Sequence, residues 1–199
     1  MTTSSQPLLV LLALWFLAAV GAGAFHLLQH LPPASAQLLI AGLTIGFSFA
    51  LARLGGLKDA AAALSVRSLL AAHLVRFVGI YFLWLHAQGR LPVEFAQRAG
   101  WGDIVAASGA LGLLFLPEGR GFRRALFWWN LFGAADLVVA VGTAAWLTIT
   151  RPGSMLEITQ LPLTLIPLWA VPVLLSSHIY LLRQHVCTSH ATGSSPLQA

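Results

Sequence analysis

The chain has 199 residues, of which 58% are hydrophobic and 9% are charged, and its mean hydropathy is +0.82. Soluble domains carry about a quarter charged residues, so this composition excludes an ordinary soluble domain and makes a lipid bilayer the solvent. The formal net charge of +5 does not indicate nucleic acid, because the few basic residues sit in short loops between apolar runs. The single cysteine, Cys187, excludes an internal disulfide and a cysteine-rich metal site.

Taken in order, the apolar runs predict an all-α integral membrane protein, a six-transmembrane-helix bundle over residues 1–183 with a polar, disordered cytoplasmic tail over 184–199. Span 1 covers about Pro7–Leu28. It is longer than a signal-peptide core and has no Lys or Arg before it, so an uncleaved helix is expected. His26 and His30 mark its far end, and Pro32 and Pro33 stop it. Span 2, about Ala36–Leu54, carries Gly42-x-x-x-Gly46, a small-residue face suited to close helix packing. A surface segment, Gly55–Arg67, holds Lys58 and Asp59.

Span 3, Ser68–Gly89, is long enough to cross a bilayer yet contains His73, Arg76 and His86. An arginine at membrane depth costs roughly 2.5–3.5 kcal/mol on insertion scales, so a functional role is the default expectation. After it, Pro92 suits a first helical position and Gly100 a position just past a helix end. This predicts a short interfacial helix, Leu91–Ala99, between spans 3 and 4, with Trp101 at the headgroup level. Asp103 then falls where span 4, Asp103–Leu116, needs an N-cap. Span 5, about Ala125–Ile149, includes Trp128, Trp129, Asn130, Gly133 and Asp136. Span 6, about Leu161–Leu182, contains Pro162, Pro167, Pro172 and His178, so a kink is expected.

Basic residues set the orientation. With the N-terminus cytoplasmic, the inner loops hold Arg53, Lys58, Arg67, Arg120, Arg123, Arg124 and Arg183, against Arg90, Arg98 and Arg151 outside. This bias predicts an inner-membrane protein with both termini in the cytoplasm. The run GRLPVEFAQRAGWGDI, following an H-x-x-R-x-x-G helix, resembles a group of small bacterial multi-span membrane proteins. The resemblance implies the topology and no activity.

Helical rise is about 1.5 Å per residue, so offset from mid-span gives depth. Arg76 and Asp136 come out within about 3 Å and 1 Å of the midplane, on different helices, which predicts a buried ion pair. His73, Asn130 and His178 fall about 8–10 Å towards the cytoplasm. His73, Arg76, Asn130, Asp136 and His178 are therefore the expected ligand-binding cluster, between spans 3, 5 and 6. His26 and His86 each fall roughly 12 Å to the other side.

Binding or transport of a small ligand is the first functional reading, with dimerisation expected for so small a transporter. The alternative is a b-type cytochrome, with His73 and His178 holding one haem b and His26 and His86 another. A third reading is an accessory or assembly subunit of a larger membrane complex. Enzymatic chemistry comes last, because no nucleophile elbow, phosphate loop or H-E-x-x-H occurs. His185-x-Cys187-x-x-His190 has metal-like residue types but reads as adventitious.

Overall fold

The computed structural model describes residues 4–32 and 35–192, with side chains through Gln184. All regular structure among the described residues is helical. Five stretches are long and apolar enough to cross a membrane: Gln6–Ala24, Ser35–Arg53, Val66–Ala87, Arg120–Thr150 and Ile166–Gln184.

The elements are α1 (Gln6–Ala24), α2 (Ser35–Arg53), α3 (Gly55–Ala62), α4 (Val66–Ala72), α5 (Val78–Ala87), α6 (Val93–Phe115), α7 (Arg120–Thr150) and α8 (Val171–Thr192). Pro7 sits in the first turn of α1, where a missing N–H costs nothing. Ser65 caps α4 by accepting a hydrogen bond from the Ser68 N–H at 3.0 Å. Two helices are interrupted. A 3-10 segment, His73–Phe77, joins α4 to α5, and a π turn, Ile166–Ala170, leads into α8 at Pro167.

Burial is inverted relative to a soluble domain. Leu38 and Ile45 are 74% and 70% exposed, whereas Arg76 is 1% exposed and His73, Asn130 and His178 are 0% exposed. In lipid there is no penalty for outward-facing aliphatic side chains, while polar groups must find partners within the protein. Short polar bonds between helices follow the same logic. Ser48 donates to Ser176 Oγ at 2.9 Å, Ser176 donates to the Thr44 carbonyl at 3.2 Å, and Trp169 donates to the Leu12 carbonyl at 3.0 Å.

Several expected boundaries move. The helix expected to stop at Gly100 runs unbroken from Val93 to Phe115, so Leu91–Ala99 is not a separate helix and Asp103 caps nothing. Gly100 is used for close approach instead. A Cβ on Gly79 would meet the Gly100 carbonyl oxygen, and a Cβ on Gly100 would come within 3.0 Å of the Gly79 oxygen. The backbones of α5 and α6 therefore touch there, as small residues allow between membrane helices. Among the described residues nothing lies within 4 Å of a Cβ on Gly42 or Gly46, and α2 meets α8 through Thr44 and Ser48 instead. Arg120, Arg123 and Arg124, expected in a loop, form the first turns of α7.

Ion pairs and charged hydrogen bonds tie the two ends of the bundle. At one end Arg90 grips Glu157 at 3.1 and 2.8 Å, and Arg151 bonds Glu94. At the other end Arg67 donates to the carbonyls of Leu114 and Leu116, where a cation complements the C-terminus of α6.

The close approach at Gly79 gives a direct expectation. Gly79→Leu should cost about 1–3 kcal/mol by overpacking and lower the melting temperature in detergent by several degrees. Gly112→Leu on α6, where a Cβ meets nothing within 4 Å, should leave it unchanged in the same thermal melt.

Candidate functional site

The site grows from the 3-10 segment His73–Phe77. A 3-10 helix has three residues per turn, so residues three apart eclipse, and His73 and Arg76 stand one above the other at the break in span 3. Both are buried.

Arg76 makes three kinds of bond. Its Nε donates to Asp103 Oδ1 on α6 at 2.7 Å, one terminal nitrogen donates to Asp136 Oδ2 on α7, and the other donates to the Gly133 carbonyl at 3.2 Å. One guanidinium thus ties three elements together. Two of its five N–H donors remain outside these bonds. Glycines make the room. A Cβ on Gly102 would collide with the Asp136 carboxylate, and a Cβ on Gly133 would lie 2.6 Å from His178 Cε1 and 3.2 Å from an Arg76 terminal nitrogen.

Next to Arg76 lies a packed aromatic group. The His73 and His178 rings are 4.4 Å apart between centroids, and Trp129 stands 5.0 and 5.3 Å from them. Trp129 Nε1 donates to the Ala106 carbonyl at 2.8 Å. Asn130 Nδ2 donates to the His178 carbonyl at 3.0 Å, which turns Asn130 Oδ1 towards His178 Nδ1 at 2.6 Å. His178 therefore carries its proton on Nδ1 and leaves the Nε2 lone pair unpartnered. Ser177 donates to the Leu174 carbonyl at 2.7 Å, so its oxygen accepts from His73 Nε2 at 2.8 Å. His73 Nδ1 is likewise left as an unpartnered acceptor.

A cavity of about 230 Å³ lies against this cluster. Arg76 and Asp103, both buried, are the two charged residues in its lining. Phe16 of α1, Tyr81 of α5 and Trp169 and Leu174 of the last span form apolar walls. The cavity touches both helix interruptions, through Val75 and Arg76 on one side and Ile166 and Trp169 on the other. Apolar pockets with a few convergent polar groups are the usual form of small-molecule sites.

The structure thus brings His73, Arg76, Asn130, Asp136 and His178 together, with Asp103, Trp129 and Ser177 added. His26 and His86 are engaged elsewhere. His26, in a left-handed turn after α1, meets Gln29 at 3.2 Å, and His86 Nδ1 donates to the Leu91 carbonyl at 3.1 Å. The haem arrangement does not fit the inner pair, because two imidazoles packed ring to ring leave no space for a macrocycle between them. Among the described residues no group of three or more His, Cys, Asp or Glu gathers as a metal site. The side chains of His185, Cys187 and His190 lie outside the described residues, as do residues 193–199 of the expected tail.

Asp103 is the residue that sequence reasoning places wrongly. Its spacing after Gly100 imitates an N-cap. The usable signal is depth, since an acidic residue three positions into an apolar helix run lies where a buried arginine needs a counter-charge. Gly102 and Gly133 carry no signal of their own, because what they admit comes from other helices.

Fold and site together define a helical protein with five helices long and apolar enough to cross a membrane and a charged cluster buried in its interior. Residues 33–186 match the model of the family described as Domain of unknown function (DUF8737), and the chain belongs to that family. The match takes in the cluster residues from His73 to His178 and leaves out α1, which supplies Phe16 to the cavity. No curated protein and no solved structure matches the chain.

Removing Arg76 would leave two carboxylates buried without a cation, which costs about 3–5 kcal/mol in comparable buried pairs. Arg76→Ala should therefore sharply lower the yield of monodisperse protein on size exclusion in detergent. Adding Asp103→Asn and Asp136→Asn to Arg76→Ala should recover most of that yield. A triple variant as poor as the sum of its parts would mean the three residues are not coupled.

Proposed function

We propose that this chain is a six-span inner-membrane protein, with both termini in the cytoplasm, that binds and carries a small ligand in the cavity beside Arg76 and Asp103. The observation that carries this reading is a charged cluster forming one wall of an otherwise apolar cavity, between two interrupted helices. An ion pair serving packing alone needs neither the cavity nor the interruptions. Mid-helix 3-10 stretches and π turns recur at hinges and functional sites. Discontinuous helices near the bilayer midplane are a feature of transporter sites.

The sixth span in this reading is α6. Its 23 residues extend roughly 35 Å, enough to cross a hydrocarbon core. Its Glu94 end bonds Arg151 at the end of α7, and its Leu114 end bonds Arg67 at the start of α4. It therefore runs from one end of the bundle to the other, between two neighbours long enough to span. Its first two turns, with Glu94 and Arg98, lie at the outer interface. The excess of Lys and Arg at the Arg67 end supports the orientation.

Two measurements test this. A periplasm-active reporter fused after Arg90 should be active and one fused after Arg123 inactive, and the reverse pattern would overturn the orientation. Protein purified in mild detergent should release a bound small molecule on denaturation, detected by mass spectrometry. Val75→Trp, which fills the cavity from a half-exposed position, should abolish that release without lowering the melting temperature. Equal release from both proteins would place the ligand elsewhere.

A further inference from the structure

We infer that the ligand of this cavity is a monovalent organic cation with an apolar body, and that it exchanges with one proton held by the Asp103–Arg76–Asp136 cluster. The inference rests on the cavity-binding reading above and adds the charge of the ligand and the ion it displaces.

The charges around the cavity do not balance without a proton. Two carboxylates, Asp103 and Asp136, converge on one guanidinium, Arg76. Fully ionised, the cluster carries one negative charge in excess. The other titratable groups packed around it do not supply the missing positive charge. His178 Nδ1 faces Asn130 Oδ1, and a second proton on Nε2 would be buried without an acceptor, beside the same Gly133 that Arg76 packs against. His73 is in the same position. Its Nε2 is bonded to Ser177, and a proton on Nδ1 would be buried without an acceptor, three residues before Arg76 in the same segment. Tyr81, a phenol on the cavity wall, has no positive form to offer. An uncompensated charge at membrane depth is costly. Without a ligand, the carboxylate pair therefore holds one proton, and the cluster at rest is neutral.

A cationic ligand makes that proton unnecessary. Asp103 is the carboxylate on the cavity wall, so a cationic head placed beside it supplies the charge the proton supplied. One cation enters, one proton leaves for the aqueous phase, and the cluster stays neutral in both states. Phe16, Tyr81 and Trp169 line the cavity, and aromatic rings attract such a head. An anionic ligand would raise the buried negative charge, and Arg76 is already shared between two carboxylates. A neutral ligand would leave the proton in place.

The test uses the full-length protein in nanodiscs and two probes of equal shape, benzyltrimethylammonium and its uncharged isostere neopentylbenzene, with phenylacetate as the anionic comparison. Binding is read by calorimetry and proton release by an indicator dye in weak buffer. Benzyltrimethylammonium should bind at least about tenfold more tightly than either comparison, release about one proton per molecule bound, and gain about tenfold in affinity per pH unit while the proton is being displaced. Asp103→Asn should abolish proton release and the pH dependence and weaken the cation about tenfold or more, and because Asp136 still balances Arg76 in this variant its melting temperature should stay that of the parent protein, which separates loss of the exchanged proton from loss of fold. Tighter binding of neopentylbenzene or phenylacetate, or cation binding without proton release, would overturn the exchange while leaving the cavity a binding site. Failure of all three probes to bind would contradict the cavity reading itself.

Discussion

A guanidinium cannot be left alone in hydrocarbon, and the rest of this structure follows from how Arg76 is accommodated. Its bonds reach Asp103, Asp136 and the Gly133 carbonyl, and so fix span 3 against α6 and α7. Those bonds need close approach, and the glycines supply it. Gly79 and Gly100 bring two backbones together, while Gly102 and Gly133 leave space for the side chains that gather round the arginine. The energetic logic is that of any buried ion group, where the intact set is tolerable and a broken one is not.

The same constraint organises the polar groups behind it. His73, His178, Asn130, Ser177 and Trp129 satisfy one another and the backbone almost completely, as buried polar groups must. The departures from satisfaction lie next to Arg76, at His73 Nδ1 and His178 Nε2. A bundle built only to hold its helices together gains nothing from acceptors left unpaired beside a cation.

How much of this is legible in the sequence depends on the kind of signal. Arg76, Asp136, His73 and His178 stand out because ionisable residues inside apolar runs are rare, and matching their depths is enough to group them. Asn130 follows from the same arithmetic. Asp103 is misplaced because a local pattern, a glycine followed closely by an acidic residue, outweighs its depth. The 3-10 break at His73–Phe77 is invisible, since no proline or glycine marks it and tertiary bonds from Arg76 hold it. The π turn is anticipated only as a proline kink. Gly42 and Gly46 mislead in the opposite direction, because a motif for helix packing says nothing about which partner, if any, it meets within the chain.

The most direct measurement of the central claim is a solid-state nuclear magnetic resonance distance experiment on the protein in lipid, with labelled arginine guanidinium nitrogens and labelled aspartate carboxyl carbons. The account predicts dephasing of the Arg76 guanidinium by two carboxyl carbons at hydrogen-bond distance. Asp103→Asn should remove the dephasing at Nε, and Asp136→Asn the dephasing at a terminal nitrogen. A guanidinium signal coupled to water or lipid phosphate and to neither carboxylate would contradict it.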